Sequence, residues 1–221
     1  MSAPRFKKYI KAITVADGGT GYQPTGNIIT SGDQQYAIDY FGENYVIYYG
    51  QSTTTFATDL LVLISAPTST VSGDTLVQAT ATLTLSSGVI TAITLTEMGD
   101  GYITAPTVHL TGTPTSFTNV STVDLSRDDG TYTSVATTSV DGIGTGATVD
   151  IIVESGKIVQ ILPNVGTNYR IGELLTVSSI AIGGTGSEDP INFIVSELNG
   201  GTGASFTVEL GQIAKSDTYH K

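Results

Sequence analysis

Residues 92–112 read AITLTEMGDGYITAPTVHLTG, and residues 12–32 read the related AITVADGGTGYQPTGNIITSG. The two stretches align without a gap over 21 positions and share seven residues. A weaker third copy, residues 155–169, contains Gly-Thr-Asn-Tyr where the other two contain Gly-x-Gly-Tyr. A self-similar pattern of this kind predicts several copies of one small structural unit.

Alternating strands accompany these copies. Residues 147–153 and 204–210 place an apolar side chain at every second position, as half-buried β-strands do. A Gly-Thr-Gly-Ala tetrapeptide opens each of them, and the related Gly-Gly-Thr-Gly occurs at residues 183–186. Residues 76–97 and 147–162 predict two hairpins, which turn at Ser86-Ser87-Gly88 and at Ser155-Gly156.

The composition supports an all-β fold. The chain has 221 residues, among them 36 Thr, 26 Gly and 20 Ser, and no window shows a convincing helical period. We therefore predict short antiparallel strands and hairpins in tandem β-sandwich-like repeat modules. The predicted segments are a basic N-terminal arm (1–11), an N-terminal β unit with an aromatic cluster (12–67) and two β-repeat modules (68–140 and 141–221).

The Gly-x-Gly-Tyr motif predicts a tight turn. Glycine adopts positive φ at little cost, and the Tyr that follows can cover the exposed backbone. A phosphate-binding loop is excluded, because no predicted helix follows these glycines. The structural turns are expected at Gly19, Gly21, Tyr22, Gly99, Gly101, Tyr102, Gly166 and Tyr169, with Asn168 in place of the third copy's second glycine.

The charge is distributed unevenly. The formal net charge is −11, yet Arg5, Lys7, Lys8 and Lys11 supply four of the nine positive charges. Residues 12–126 contain no Lys or Arg and nine carboxylates. We expect the arm either to be a solvated tail or to dock on an acidic neighbour such as a second copy. In the second case, deleting residues 2–11 leaves the fold intact and weakens assembly. The acidic remainder argues against direct binding of nucleic acid.

Six aromatic residues crowd into a short N-terminal stretch: Tyr36, Tyr40, Phe41, Tyr45, Tyr48 and Tyr49. They predict the core of the N-terminal unit if buried, and an oligomer or partner interface if exposed, with Tyr45, Tyr48 and Tyr49 as the interface candidates. Stacking on sugar rings is a third interpretation.

Residues suited to catalysis are scarce. The chain has no Cys and only two His, so it offers few candidates for a nucleophilic triad and none for a thiolate metal site. His109 occupies the position of Ile29 in the other copy, which indicates a packing or surface role. Asp128, Asp129 and Asp141 are expected in turns, with a weak Ca²⁺ site or a glycosidase carboxylate pair as alternatives. We expect no enzyme activity, cofactor or metal.

The full cycle runs from Gly-Thr-Gly-Ala through an alternating strand, a Ser-Gly turn and a second strand to Gly-x-Gly-Tyr and Ala-Pro-Thr-Val. It resembles the repeat of structural virion proteins in tailed phages, especially the contractile-tailed phages of cyanobacteria, over about two fifths of the chain. Residues 41–70 lack the repeat signature.

The resemblance implies a building block of the capsid, neck, baseplate or tail fibre, made in the host cytoplasm and incorporated into the virion. Its partners would be other virion proteins and further copies of itself. No signal peptide or apolar segment long enough to cross a membrane is predicted. The alternatives are an adhesin module that binds polysaccharide and an enzyme that degrades it.

Overall fold

A computed structural model describes residues 6–23, 32–38, 44–50, 60–69, 75–119 and 126–214. These residues form β-strands and one short 3₁₀ helix, Ser179–Ile182, so the predicted all-β class is confirmed. The strands are β1 (Phe6–Thr20), β2 (Gly32–Ile38), β3 (Asn44–Gly50), β4 (Leu61–Ile64), β5 (Thr80–Ser86), β6 (Val89–Glu97), β7 (Val108–Thr111), β8 (Pro114–Asn119), β9 (Gly130–Ala136), β10 (Thr138–Ser139), β11 (Thr148–Glu154), β12 (Lys157–Pro163), β13 (Leu174–Val177), β14 (Ile191–Leu198) and β15 (Thr202–Ala214).

The chain divides into two compact units, each built from segments distant in sequence. The first contains residues 1–20, 62–109 and 203–221, and the second contains residues 21–61 and 110–202. The segments predicted from the sequence are contiguous, so the observed grouping differs from them. The reason is long-range strand pairing, above all that of β1 with β15 in one two-stranded sheet.

In the first compact unit, the hairpin β5–β6 packs with β1. The backbone N–H of Ile10 donates a hydrogen bond to the carbonyl of Met98 at 3.0 Å. The apolar core consists of Ile10, Ile13, Ile64, Ala79 and Tyr102, and partly buried side chains of β15 pack against it. On β15 the alternation is as predicted: Phe206, Val208 and Leu210 are partly buried, and the residues between them are exposed.

The second compact unit contains two larger sheets. One has the strand order β2-β3-β12-β11-β9, and the other has the order β10-β13-β14-β8. The neighbours are antiparallel except β3 and β12, which run parallel with Tyr48 opposite Gln160. The predicted apolar face of β11 is confirmed, because Val149, Ile151 and Val153 are buried.

Three two-residue turns have positive φ at both residues, the conformation of a type I′ turn. The turns are Ser87-Gly88 (φ 49° and 78°), Ser155-Gly156 (53° and 73°) and Asn199-Gly200 (47° and 79°). The first two lie where the sequence predicts them. The third lies between β14 and β15, which belong to different sheets, and it closes a single bridge between Leu198 and Gly201. Asn-Gly is a dipeptide that favours this turn type.

Repeated turns and candidate assembly residues

The residues of the glycine-tyrosine motifs have the backbone conformations that the turn interpretation requires. The φ angles are 63° and 81° at Gly19 and Gly21, and 69° and 85° at Gly99 and Gly101. In the third copy Gly166 has φ 152°, and Asn168 has φ 63°. Asn is among the residues that tolerate this left-handed conformation best, which explains its presence here.

Two of the tyrosines bind the backbone at the start of their own hairpin. The hydroxyl of Tyr102 accepts a hydrogen bond from the N–H of Ala79 at 2.9 Å and donates one to the carbonyl of Ser65 at 3.3 Å. The hydroxyl of Tyr169 accepts one from the N–H of Ala147 at 3.2 Å. Each tyrosine is almost fully buried, so it closes one end of its hairpin and satisfies a buried amide there.

A backbone bridge accompanies each of these tyrosines. Val77 and Asp100 exchange two hydrogen bonds, at 3.1 and 2.8 Å. Thr145 and Thr167 exchange two in the same way, both at 3.0 Å. We call residues 76–102 the Tyr102 repeat and residues 144–169 the Tyr169 repeat.

Gly101 provides a direct test of the turn. We expect Gly101→Val to lower the free energy of unfolding by about 2 kcal/mol or more, because a β-branched residue resists positive φ. An added Cβ would also press on the side chain of Leu76. Thr104→Val, at an exposed position two residues after the turn, should change it by less than about 0.5 kcal/mol. Denaturant unfolding measures both, and equal values would contradict the turn argument.

The basic residues of the predicted arm lie largely within a strand. Residues 6–11 belong to β1, and Ile10 is fully buried, so this stretch is part of the fold and not a separate arm. Lys8 donates a hydrogen bond to the carbonyl of Ile103 at 2.8 Å, and Lys11 pairs with Glu209 at 2.6 Å. The side chains of Arg5 and Lys7 lie outside the described residues.

The ion pair of Lys11 is exposed. The hydrogen bond that Lys11 donates to Glu209, followed by the negative charge of Glu209, raises the pKa of Lys11 above its ordinary value. Both side chains are more than half exposed, at 57% and 59%. Solvent screens exposed pairs of this kind, so the pair helps align β1 with β15 but adds little stability.

The aromatic cluster is described only through its backbone. Tyr36 lies on β2, and Tyr45, Tyr48 and Tyr49 lie on β3, which joins the five-stranded sheet through β12. Tyr40, Phe41 and all side chains of this cluster fall outside the described residues, so the interface interpretation of Tyr45, Tyr48 and Tyr49 stays a prediction.

Exposed apolar side chains flank two of the turns. In the Tyr102 repeat they are Met98, directly before Gly99, and Ile103, directly after the tyrosine. In the Tyr169 repeat and its flanks they are Ile143, Val165 and Ile171. The exposed fractions of these five side chains lie between 41% and 52%. Exposed apolar side chains therefore flank the glycine-tyrosine turn in both repeats.

Glu173 is a buried carboxylate that the sequence analysis did not identify. Its side chain accepts hydrogen bonds from the hydroxyl of Ser139 at 2.7 Å and from the N–H groups of Gly144 and Arg170 at 2.9 and 3.1 Å. It is 2% exposed, and the Nε atom of Arg170 lies 3.9 Å away. Glu173 therefore anchors the start of the Tyr169 repeat.

The side chains of two of the three predicted turn aspartates accept hydrogen bonds from backbone N–H groups. Asp129 accepts one from the N–H of Gly156 at 2.8 Å, and Asp141 accepts one from the N–H of Leu174 at 2.8 Å. Within the described part of the chain, no three His, Cys, Asp or Glu residues come together as metal ligands could. His109 lies on β7, and His220 is outside the described residues.

Glu188 anchors the loop that contains Gly183–Gly186, the third glycine-rich tetrapeptide. Its carboxylate accepts hydrogen bonds from the N–H and hydroxyl of Thr185 at 3.0 and 2.8 Å, and from the N–H of Gly186 at 2.9 Å. These bonds stabilise the charged form, those from Thr185 most strongly, and lower the pKa of Glu188 to about 2.

Protonation of Glu188 in acid should weaken the hydrogen bonds that hold this loop. Since the folded pKa lies below the ordinary value of 4.5, the contribution is complete above pH 4.5 and is lost as the pH falls towards about 2. We expect the amide resonances of Thr185 and Gly186 to titrate together, with a midpoint near pH 2, in an NMR titration down from about pH 6. Glu188→Gln should abolish this titration. A midpoint near 4.5 would contradict the proposed anchoring.

The sheets and repeated turns define an all-β repeat protein. No protein-family model matches the chain, and neither a curated protein nor a solved structure matches it. The resemblance to phage repeat proteins therefore stays a prediction. A bilayer-spanning helix is not found among the described residues.

Proposed function

We propose that this protein is a structural component of a tailed-phage virion, and that it acts by assembly with copies of itself and with neighbouring virion proteins. The observation that carries the proposal is the set of exposed apolar side chains beside the repeated turns. Met98 and Val165 each precede the first glycine of a motif, and Ile103 and Ile171 follow its tyrosine. Burying such side chains against a neighbour contributes about 25 cal/mol per Å² of apolar area.

The charge content supports the same proposal. Only 13% of the residues are charged, and the long stretch 12–126 contains no Lys or Arg. The cores of protein interfaces are depleted of charged residues, as this part of the chain is depleted of basic ones. The remaining acidic charge favours association at higher salt, where repulsion between identical copies is screened.

Self-association tests the assembly part of the proposal. We expect the purified protein to form larger species with rising concentration in size-exclusion chromatography with light scattering, more strongly at high salt. The double variant Met98→Ser/Ile103→Ser should weaken association by about tenfold or more. Ile180→Ser is the matched control, because Ile180 is 67% exposed but lies on the 3₁₀ helix away from both motifs in sequence. Equal association of the double variant and the control would overturn the role of the turns.

The virion part needs a separate experiment. Mass spectrometry of purified particles from a tailed phage that encodes this chain should detect it in a fixed ratio to the other structural proteins. Its absence from particles, with presence in the infected cell, would overturn the assignment to the virion.

A further inference from the structure

The Tyr102 and Tyr169 repeats share one plan: two antiparallel strands joined by a Ser-Gly turn, with the tyrosine motif after the second strand. Before the first strand, each has an alanine, Ala79 or Ala147, whose N–H binds the motif tyrosine; of these two repeats, only the Tyr169 repeat contains the Gly-Thr-Gly-Ala tetrapeptide itself. We infer that β15 and β1 form a third copy of this plan, whose two strands occur in reverse order in the sequence. The first strand of the copy is β15, and the second is β1, which precedes it by almost the whole chain. This inference does not depend on the proposed function.

The contacts between the two strands show the same antiparallel direction as in the other copies. Lys11 pairs with Glu209, the ring of Tyr9 lies beside Gly211, and Gly19 lies near Gly203. The residue number falls along β15 as it rises along β1, so the strands run antiparallel, as β5 and β6 do.

The residues near the tyrosine motif of β1 also match their counterparts in the Tyr169 repeat. Gly203 has φ 86° and Gly146 has φ 72°, and these are the second glycines of the two Gly-Thr-Gly-Ala tetrapeptides. The first glycines are also equivalent: the ring of Tyr22 occupies the space of a Cβ on Gly201, and the ring of Tyr169 occupies that space on Gly144. Tyr22 is 2% exposed, like the other two motif tyrosines.

One feature separates the copy formed by β15 and β1, which we call the split repeat, from the Tyr102 and Tyr169 repeats. A type I′ turn joins β5 to β6 and β11 to β12, whereas β15 and β1 are held together at the equivalent end by non-covalent contacts. The split repeat therefore closes the fold between segments about 190 residues apart. The copies are equivalent, so the fold should survive when a different copy is split and this one is joined.

A disulfide tests the closure directly, because the chain contains no Cys. Lys11→Cys with Glu209→Cys should give an intramolecular disulfide in the monomer on mild oxidation, seen as faster migration on a non-reducing gel. Oxidation should raise the Tm by roughly 5–15 °C. Lys11→Cys with Ser205→Cys is the control, since Ser205 is exposed on the same face but lies about 13 Å along the strand. Cross-linking only between molecules, or equal cross-linking of both pairs, would overturn the inference.

A circular permutant tests the equivalence of the copies. Joining Lys221 to Met1 and opening the chain between Ser87 and Gly88 keeps every residue, and residues 215–221 and 1–5 then link β15 to β1. This permutant should keep the circular dichroism spectrum of the parent and a cooperative melt. A permutant opened between Asp100 and Gly101, inside a motif, should melt at least about 10 °C lower. Failure of the first permutant to fold, or equal melting of the two, would overturn the inference.

Discussion

Glu173→Ala is expected to lower the free energy of unfolding by about 3–5 kcal/mol. The substitution leaves the N–H groups of Gly144 and Arg170 without their acceptor in a buried site, and it removes the partner of the Ser139 hydroxyl. It also opens a cavity beside Gly142, whose backbone lies against the carboxylate. Because Gly144 begins the Tyr169 repeat, the whole hairpin β11–β12 should be affected.

Two further variants make the Glu173 result specific. Glu173→Gln keeps the volume but places an NH₂ group where one of the donors needs an acceptor, so we expect a smaller loss of about 1–3 kcal/mol. Glu154→Ala, at an exposed position of β11, should stay within about 0.5 kcal/mol of the parent. Denaturant unfolding followed by circular dichroism measures all three. A loss for Glu173→Ala no larger than that for Glu154→Ala would contradict the anchoring role.

Deletion of residues 2–11 should destabilise the fold by at least about 4 kcal/mol. The deletion removes Ile10 from the core of the first compact unit and removes the hydrogen bond between Ile10 and Met98. It also removes the carbonyl of Lys8, which accepts the N–H of Tyr102 at 3.3 Å. This expectation replaces the one from the sequence, in which the same deletion leaves the fold intact.

The matched control is deletion of residues 2–5, which leaves β1 whole. We expect that protein to melt close to the parent and the longer deletion to melt more than about 10 °C lower. Ile10→Ala alone should lower the free energy of unfolding by about 2–5 kcal/mol. Equal melting of the two deletions would restore the interpretation of residues 6–11 as a dispensable arm.

The sequence predicted some of the candidate assembly residues but not the contacts that they make. The charge pattern identified Lys8 and Lys11, but not their partners within the same chain, Ile103 and Glu209. A cluster of cations in a sequence looks the same whether its partners are in the same molecule or in another. No sequence signal identified Glu173, because its role depends on Gly144 and Ser139, 29 and 34 residues away, which it meets only in the fold.

Local features of this protein could be predicted from its sequence. The period of two placed Val149, Ile151 and Val153 on a buried face, and the Ser-Gly dipeptides marked two of the hairpin turns. These features depend on residues close together in the chain, where backbone sterics and alternating burial act directly. The all-β class follows from them.

Which of these elements pair with one another becomes visible only in the folded structure. The Gly-Thr-Gly-Ala tetrapeptide at residues 201–204 and the Gly-Thr-Gly-Tyr motif at residues 19–22 are both legible in the sequence, yet nothing in it assigns them to one repeat. The parallel pairing of β3 with β12 is equally hidden. A strand carries the same alternating pattern whatever its partner, and the choice among partners is made by how all the apolar faces can be buried at once.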